Sequence, residues 1–123
     1  MSPAHPNPLP RRLFAAFGAF AGALAVALGA YAAHAPLETL EKTRLDTAVL
    51  YLAIHALALC IFAPRQRTRI DLVPLAGWAV GMLAFCGSLV CAALWNTSTA
   101  LAPAGGIALI AAWLLQAALQ LRR

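Results

Sequence analysis

LVPLAGWAVGMLAFCGSLVCAAL, residues Leu72–Leu94, carries no charged side chain from end to end. An α-helix rises about 1.5 Å per residue, and roughly 20 apolar residues cover the ~30 Å hydrocarbon layer of a bilayer. This stretch is long enough to cross. Three more of its kind flank it, at about Leu13–Ala33, Ala48–Ala63 and Leu101–Leu121. The second reaches spanning length once its entry residues Leu45 to Thr47 are added. The expected fold is therefore all-α and membrane-embedded: a four-transmembrane-helix bundle, with helices at about 13–33, 45–64, 72–94 and 101–121.

Composition points the same way. The chain is 63% hydrophobic and 11% charged, where a soluble domain carries about 25% charged residues. A soluble reading would leave far too much apolar surface in water. At 123 residues, one membrane domain over 11–123 uses nearly the whole chain. The formal charge of +5 could suggest nucleic acid in a soluble protein. Here the basic residues sit at helix ends, so the bilayer, and no nucleic acid, is the partner they imply. Cys60, Cys86 and Cys91 all fall inside apolar segments, which makes them packing residues and not a disulfide framework.

The first helix could be mistaken for a secretion signal, because Arg11 and Arg12 precede it and Ala33-His34-Ala35 resembles a cleavage site. Its apolar run exceeds the 7–15 residues or so of a signal core, so it is read as a retained helix. The twin arginines are read as ordinary topology determinants. Residues 1–10 hold four prolines and no apolar period, and are expected to be a disordered tail. Between helices one and two, Leu37, Leu40, Glu41, Arg44 and Leu45 repeat at helical spacing behind Pro36. This predicts a short amphipathic helix on the membrane interface over Pro36–Arg44, running into helix two.

Orientation follows from the cations. Arg11, Arg12, Arg65, Arg67, Arg69, Arg122 and Arg123 fall on one side, and only Lys42 and Arg44 on the other. The arginine-rich side is expected in the cytoplasm, with both termini. Small residues at four-residue spacing let membrane helices approach closely. They recur at Gly18, Gly22 and Gly29 on helix one and at Gly77 and Gly81 on helix three, while Gly105 and Gly106 open helix four.

The unusual residues are polar ones at membrane depth. Thr47, Tyr51 and His55 are spaced four apart, so they share a helix face, and His55 lies about 15 Å below the entry of its helix. Ser88 on helix three falls near the level of Thr47 and Tyr51, with Asp46 and His34 at the outer mouth. These six residues form the candidate intramembrane site. The simpler reading makes His55 and Tyr51 structural glue, Tyr51 bonding Ser88, and makes Asp46 the partner of Lys42. The functional reading takes His55, a residue type that can titrate near neutral pH, as the mark of an ion, proton or ligand path. The His and carboxylate spacing is a weak metal signal, so no metal and no cofactor is expected. No phosphate loop, nucleophile elbow or His-Glu-x-x-His motif is present.

The order Leu28-Gly-Ala-Tyr-Ala-Ala-His34, then Asp46-Thr-Ala-Val-Leu-Tyr-Leu-Ala-Ile-His55-Ala-Leu-Ala-Leu59, then Gly87-Ser88-Leu89, then Pro103-Ala-Gly-Gly106 with Trp113 beyond, resembles a known family. These are small bacterial inner-membrane proteins of domain-of-unknown-function family 423, related to a small eukaryotic transmembrane protein. The resemblance implies four membrane helices and no established activity. Its characteristic positions fall on Gly29, His34, Thr47, Tyr51, His55, Gly87, Ser88, Pro103, Gly105 and Gly106. The chain departs from the family pattern at Leu52, Val90 and Ala102, where the family usually carries polar or aromatic residues. The expectation is a non-enzymatic inner-membrane protein of unknown molecular function, supporting membrane structure, a homo-oligomer or a membrane-protein partner. The alternative is a small oligomeric transporter or proton-linked permease using the polar site around His55.

Overall fold

The computed structural model describes residues 7–123. It contains α1 (Leu9–His34), α2 (Thr39–Phe62), a 3-10 turn (Ala63–Arg65), α3 (Leu72–Trp95) and α4 (Leu101–Leu121). No strand occurs among the described residues. The α-helices are 26, 24, 24 and 21 residues long, and each is long and apolar enough to cross a membrane. Residues 1–6 of the expected tail lie outside the described residues. Leu9 and Pro10, assigned to that tail from sequence, already belong to α1. Proline fits a first helical turn because its missing N–H has no partner to lose there.

The separate interfacial helix expected over Pro36–Arg44 is absent. Pro36 to Glu38 are not helical, and Thr39–Arg44 form the first turns of α2 itself. Three local interactions start this helix and carry it unbroken into the membrane. Glu38 and Glu41 form a capping box, with the Glu38 N–H donating to Glu41 Oε2 at 3.0 Å. The Thr43 hydroxyl bonds the Thr39 carbonyl at 2.8 Å. Lys42 and Asp46 form an ion pair at 2.8 Å, one turn apart.

Successive helices run in opposite directions. The start of α1, the end of α4 and the 63–71 joint lie at one end, and the 35–38 and 96–100 joints at the other; these are called the termini end and the loop end. The termini end is tied together by Arg11, whose Nη1 donates to the Gln66 carbonyl at 3.0 Å, and by Arg123, paired with Asp71 at 3.2 Å. At the loop end α3 stops at Asn96, whose φ of 53° is left-handed. Asn tolerates that conformation better than most residues.

The helices are linked in chain order. α1 packs along α2, α2 along α3 and α3 along α4, while α1 touches α3 only locally. Neither α1 nor α2 packs along α4 as α3 does. The interior between them is filled by side chains, chiefly Leu59, Leu75, Trp78 and Met82, all essentially inaccessible. The residues that α1 buries, Gly18, Ala21, Ala25 and Ala32, are all small. Lipid gives no hydrophobic drive to helix pairing, so close backbone contact supplies it. The outer faces carry Phe20, Val26, Leu57, Val80, Ile107 and Leu114, the apolar exterior that a bilayer covers.

Candidate functional site

His55 is the centre of the polar interior. It lies on α2 and is only 3% exposed. Its Nδ1 is 2.6 Å from the Tyr51 carbonyl, one turn back. Its Nε2 is 3.0 Å from Nε1 of Trp113 on α4. An indole N–H donates only, so His55 Nε2 must accept, and the proton sits on Nδ1 and is given to the Tyr51 carbonyl. Both ring nitrogens are thereby used. Protonating Nε2 would set N–H against N–H and break the link to Trp113. The bond spans α2 and α4, two helices that do not otherwise pack along each other.

An aromatic cluster surrounds this bond. Trp113 lies 4.6 Å from Trp78 between ring centroids, and Phe62 lies 5.5 Å from Trp78. Tyr51 meets Phe85 of α3 edge-on at 5.0 Å. Towards the termini end the interior stays polar. Gln116, 3% exposed, has neither amide atom hydrogen-bonded within the protein, and Trp78 Nε1 and Gln66 Oε1 are equally without protein partners. Such groups in a dry interior cost free energy unless water or another ligand meets them.

Of the other sequence-selected residues, Tyr51 meets His55, and Asp46, His34 and Ser88 are engaged elsewhere or exposed. Asp46 is exposed and bound to Lys42 at 2.8 Å. His34 is exposed at the end of α1. Tyr51 contributes its carbonyl to His55 and stacks its ring on the imidazole at 6.3 Å between centroids, while the residue as a whole is 40% exposed. Ser88 is buried, but its hydroxyl reaches the Ser98 carbonyl at 3.5 Å and not Tyr51. It ties the loop-end turn back onto α3. Thr47 is half-buried on α2. No group of three His, Cys, Asp or Glu side chains that could hold a metal occurs among the described residues.

Sequence reasoning missed three residues that matter. Trp113 was noticed only as a motif position, though a lone tryptophan deep in a membrane helix needs an acceptor for its N–H. Gln116, one turn further on, is a polar residue in the same apolar run. Asp71 is the third. Its Oδ2 accepts the N–H groups of Arg67 at 3.0 Å and Thr68 at 2.9 Å, and its Oδ1 meets Arg123. Burial pushes its carboxyl up, but those two amides, Arg123 and Thr68 outweigh it and hold it below the ordinary carboxylate value. A single acid in an arginine-rich joint, directly before an apolar run, was the available signal.

The glycines divide into two kinds. A Cβ on Gly105 would come within 2.5 Å of Phe85 N and 2.9 Å of the Gly81 carbonyl oxygen, and one on Gly77 within 2.8 Å of Ala112 Cβ. A Cβ on Gly18 would come within 2.9 Å of the Ala56 carbonyl oxygen. Gly22, Gly29 and Gly106 have room, with their nearest atoms at 3.9, 3.5 and 3.7 Å.

Four spanning helices, short joints and an interior polar link define a small multi-pass membrane protein. The profile of the family described as "Protein of unknown function (DUF423)" matches residues 28–106, and the chain belongs to that family. It is similar to UPF0382 inner membrane protein YgdD of Escherichia coli (strain K12), 33% identical over 91% of this chain and 93% of the relative. It is also similar to UPF0382 membrane protein YwdK of Bacillus subtilis (strain 168), 34% identical over 85% of this chain and 92% of the relative. A UPF0382 membrane protein of Haemophilus influenzae is 31% identical over 78% and 83%. No solved structure matches.

Proposed function

We propose that this protein is a non-catalytic, multi-pass component of the bacterial inner membrane, with both termini in the cytoplasm, and that His55 is an internal crosslink. The observation that carries this reading is the pair of contacts on the His55 ring. Tyr51 takes its one proton and Trp113 occupies its one lone pair. A relay histidine needs a nitrogen free to receive or release a proton. The orientation rests on the cation asymmetry of seven against two. The role that fits is support of a membrane partner or of a second copy, not turnover of a substrate.

A second reading, a small oligomeric permease, is favoured by the unpartnered polar atoms of Gln116 and Trp78, which water would complete. One experiment separates the two. The protein is reconstituted in liposomes holding a pH-sensitive dye, and a potassium diffusion potential is imposed. The crosslink reading expects proton entry at the rate of empty liposomes. A flux abolished by His55→Gln would overturn it. Reporter fusions at Arg123 and near Lys42 check the orientation, and a periplasmic signal at Arg123 would reverse it.

A further inference from the structure

At the loop end, α2 and α4 stand apart and α3 floors the space between them. The result is a cleft of about 490 Å³, with Arg44 and Thr99 at its rim and Phe85, Leu89, Gly106, Ile107 and Ile110 along its sides. Its chemistry is divided by depth, charged at the rim and apolar below. Arg44 holds the Ala92 carbonyl through Nη1 at a long 3.5 Å. A guanidinium has five N–H donors, so most remain for another acceptor. No acid supplies one. Of the acids at this end, Asp46 is held by Lys42, and Glu38 and Glu41 are used in the cap of α2. The first turn of α4, on the same rim, has no side-chain cap. The Arg44 guanidinium therefore keeps donors to spare at the rim.

Depth identifies the occupant. From Leu101 to Ile110 the α4 wall descends about 14 Å at 1.5 Å per residue, close to one leaflet, half of the ~30 Å hydrocarbon layer. One turn further along α4, Trp113 joins α4 to α2 through His55. A cation at headgroup level, over an apolar channel one leaflet deep, matches one kind of molecule. We propose that the cleft binds an anionic glycerophospholipid, with its phosphate on Arg44 and an acyl chain along Phe85, Ile107 and Ile110. The site is independent of whether His55 carries protons.

The test places the full chain in nanodiscs of equal phosphatidylglycerol and phosphatidylcholine and counts the lipids retained by native mass spectrometry. Wild type is expected to retain phosphatidylglycerol over phosphatidylcholine. Arg44→Gln should reduce that preference about fivefold, the worth of one basic residue at an anionic lipid surface. Arg44→Lys should keep most of it. Arg69→Gln, exposed at the opposite end of the protein, should leave it unchanged, which separates a site from general positive charge. Gly106→Leu, which leaves the charge alone and fills the channel beside Phe85, should expel the lipid while Arg44 remains. It also serves if Arg44→Gln fails to fold. Equal retention of the two lipids, or undiminished retention in Gly106→Leu, would overturn the proposal. So would displacement of the lipid by millimolar glycerol 3-phosphate, which would show a phosphate site without use of the channel.

Discussion

Two glycine-built seams hold the helices, and they close differently. Where α3 meets α4, Gly77, Gly81 and Gly105 all touch the opposite helix, in part backbone against backbone. Where α1 meets α2, Gly18 alone is closed, and the stripe through Gly22 and Gly29 leaves a groove open to lipid. The motifs Gly18-x-x-x-Gly22 and Gly77-x-x-x-Gly81 have the same spacing. Their difference shows that a small-residue repeat marks a face able to close, and that the crossing point of the partner decides which members are used. The α3–α4 seam is the more closely packed of the two along its glycines.

The largest effect should fall on the α3–α4 seam. A side chain at Gly105 meets backbone atoms of Phe85 and Gly81, which cannot rotate away, so the helices must separate. Gly105→Ala is expected to cost about 3 kcal/mol or more, the upper end for overpacking. Gly18→Ala meets one backbone oxygen, at 2.9 Å, beside the Leu59 and Cys60 side chains, where Gly105 meets backbone alone, so about 1–2 kcal/mol is expected. Thermal unfolding in detergent gives the order directly. If Gly18→Ala melts lower than Gly105→Ala, the ranking of the two seams is reversed.

The next effect probes what joins α4 to the α2 side. His55→Leu leaves the Trp113 N–H without an acceptor and should cost about 1–3 kcal/mol. His55→Gln can still offer an oxygen and should recover part of that. Trp113→Phe removes the donor, so the double variant His55→Leu/Trp113→Phe should fall short of additivity by about 0.5–2 kcal/mol. Strict additivity would mean that the two rings are neighbours without a working bond.

The sequence made the helices legible because length and apolarity are local properties, and the bounds of α3 and α4 follow from them within a residue. The start of α2 was misplaced because charge at Glu41, Lys42 and Arg44 resembles an interface helix, whereas the capping box and the Lys42–Asp46 pair are what continue it. The depth of His55 was legible from counting residues. Its partner was not, because helical period fixes the face of a residue and says nothing of the helix opposite. The same limit hid Asp71: its position before α3 suggests a cap for that helix, but its carboxylate turns back to Arg67 and Thr68.

Asp71 gives a pH signature confined to the termini end. Its carboxyl is held below its ordinary value of about 3.9. The charged form is thus favoured by folding, and the stability it adds is present in full above about pH 4 and is lost as pH falls through the lower folded value. Melting temperature should be flat in this respect from neutral pH to about 5 and fall below about 4. Asp71→Asn should lower stability by about 1 kcal/mol at neutral pH and flatten the acid fall. An Asn variant with the parental acid profile would assign that fall to another group.

The smallest effect is the sharpest test of the α1–α2 seam. Gly22 shares its motif with Gly18, and the sequence gives the two equal weight as contact points. In the fold, a Cβ at Gly22 would reach only Ala56 Cβ at 3.9 Å, ordinary van der Waals contact. Nothing has to move. Alanine also loses less backbone freedom on folding than glycine, which is worth up to about 1 kcal/mol in a helix interior. Gly22→Ala is therefore expected to leave the melting temperature unchanged or raise it slightly, while Gly18→Ala, one turn away on the same helix, lowers it. Equal losses at both positions would mean that α1 lies closer to α2 along its whole length, and that the two seams are built alike after all.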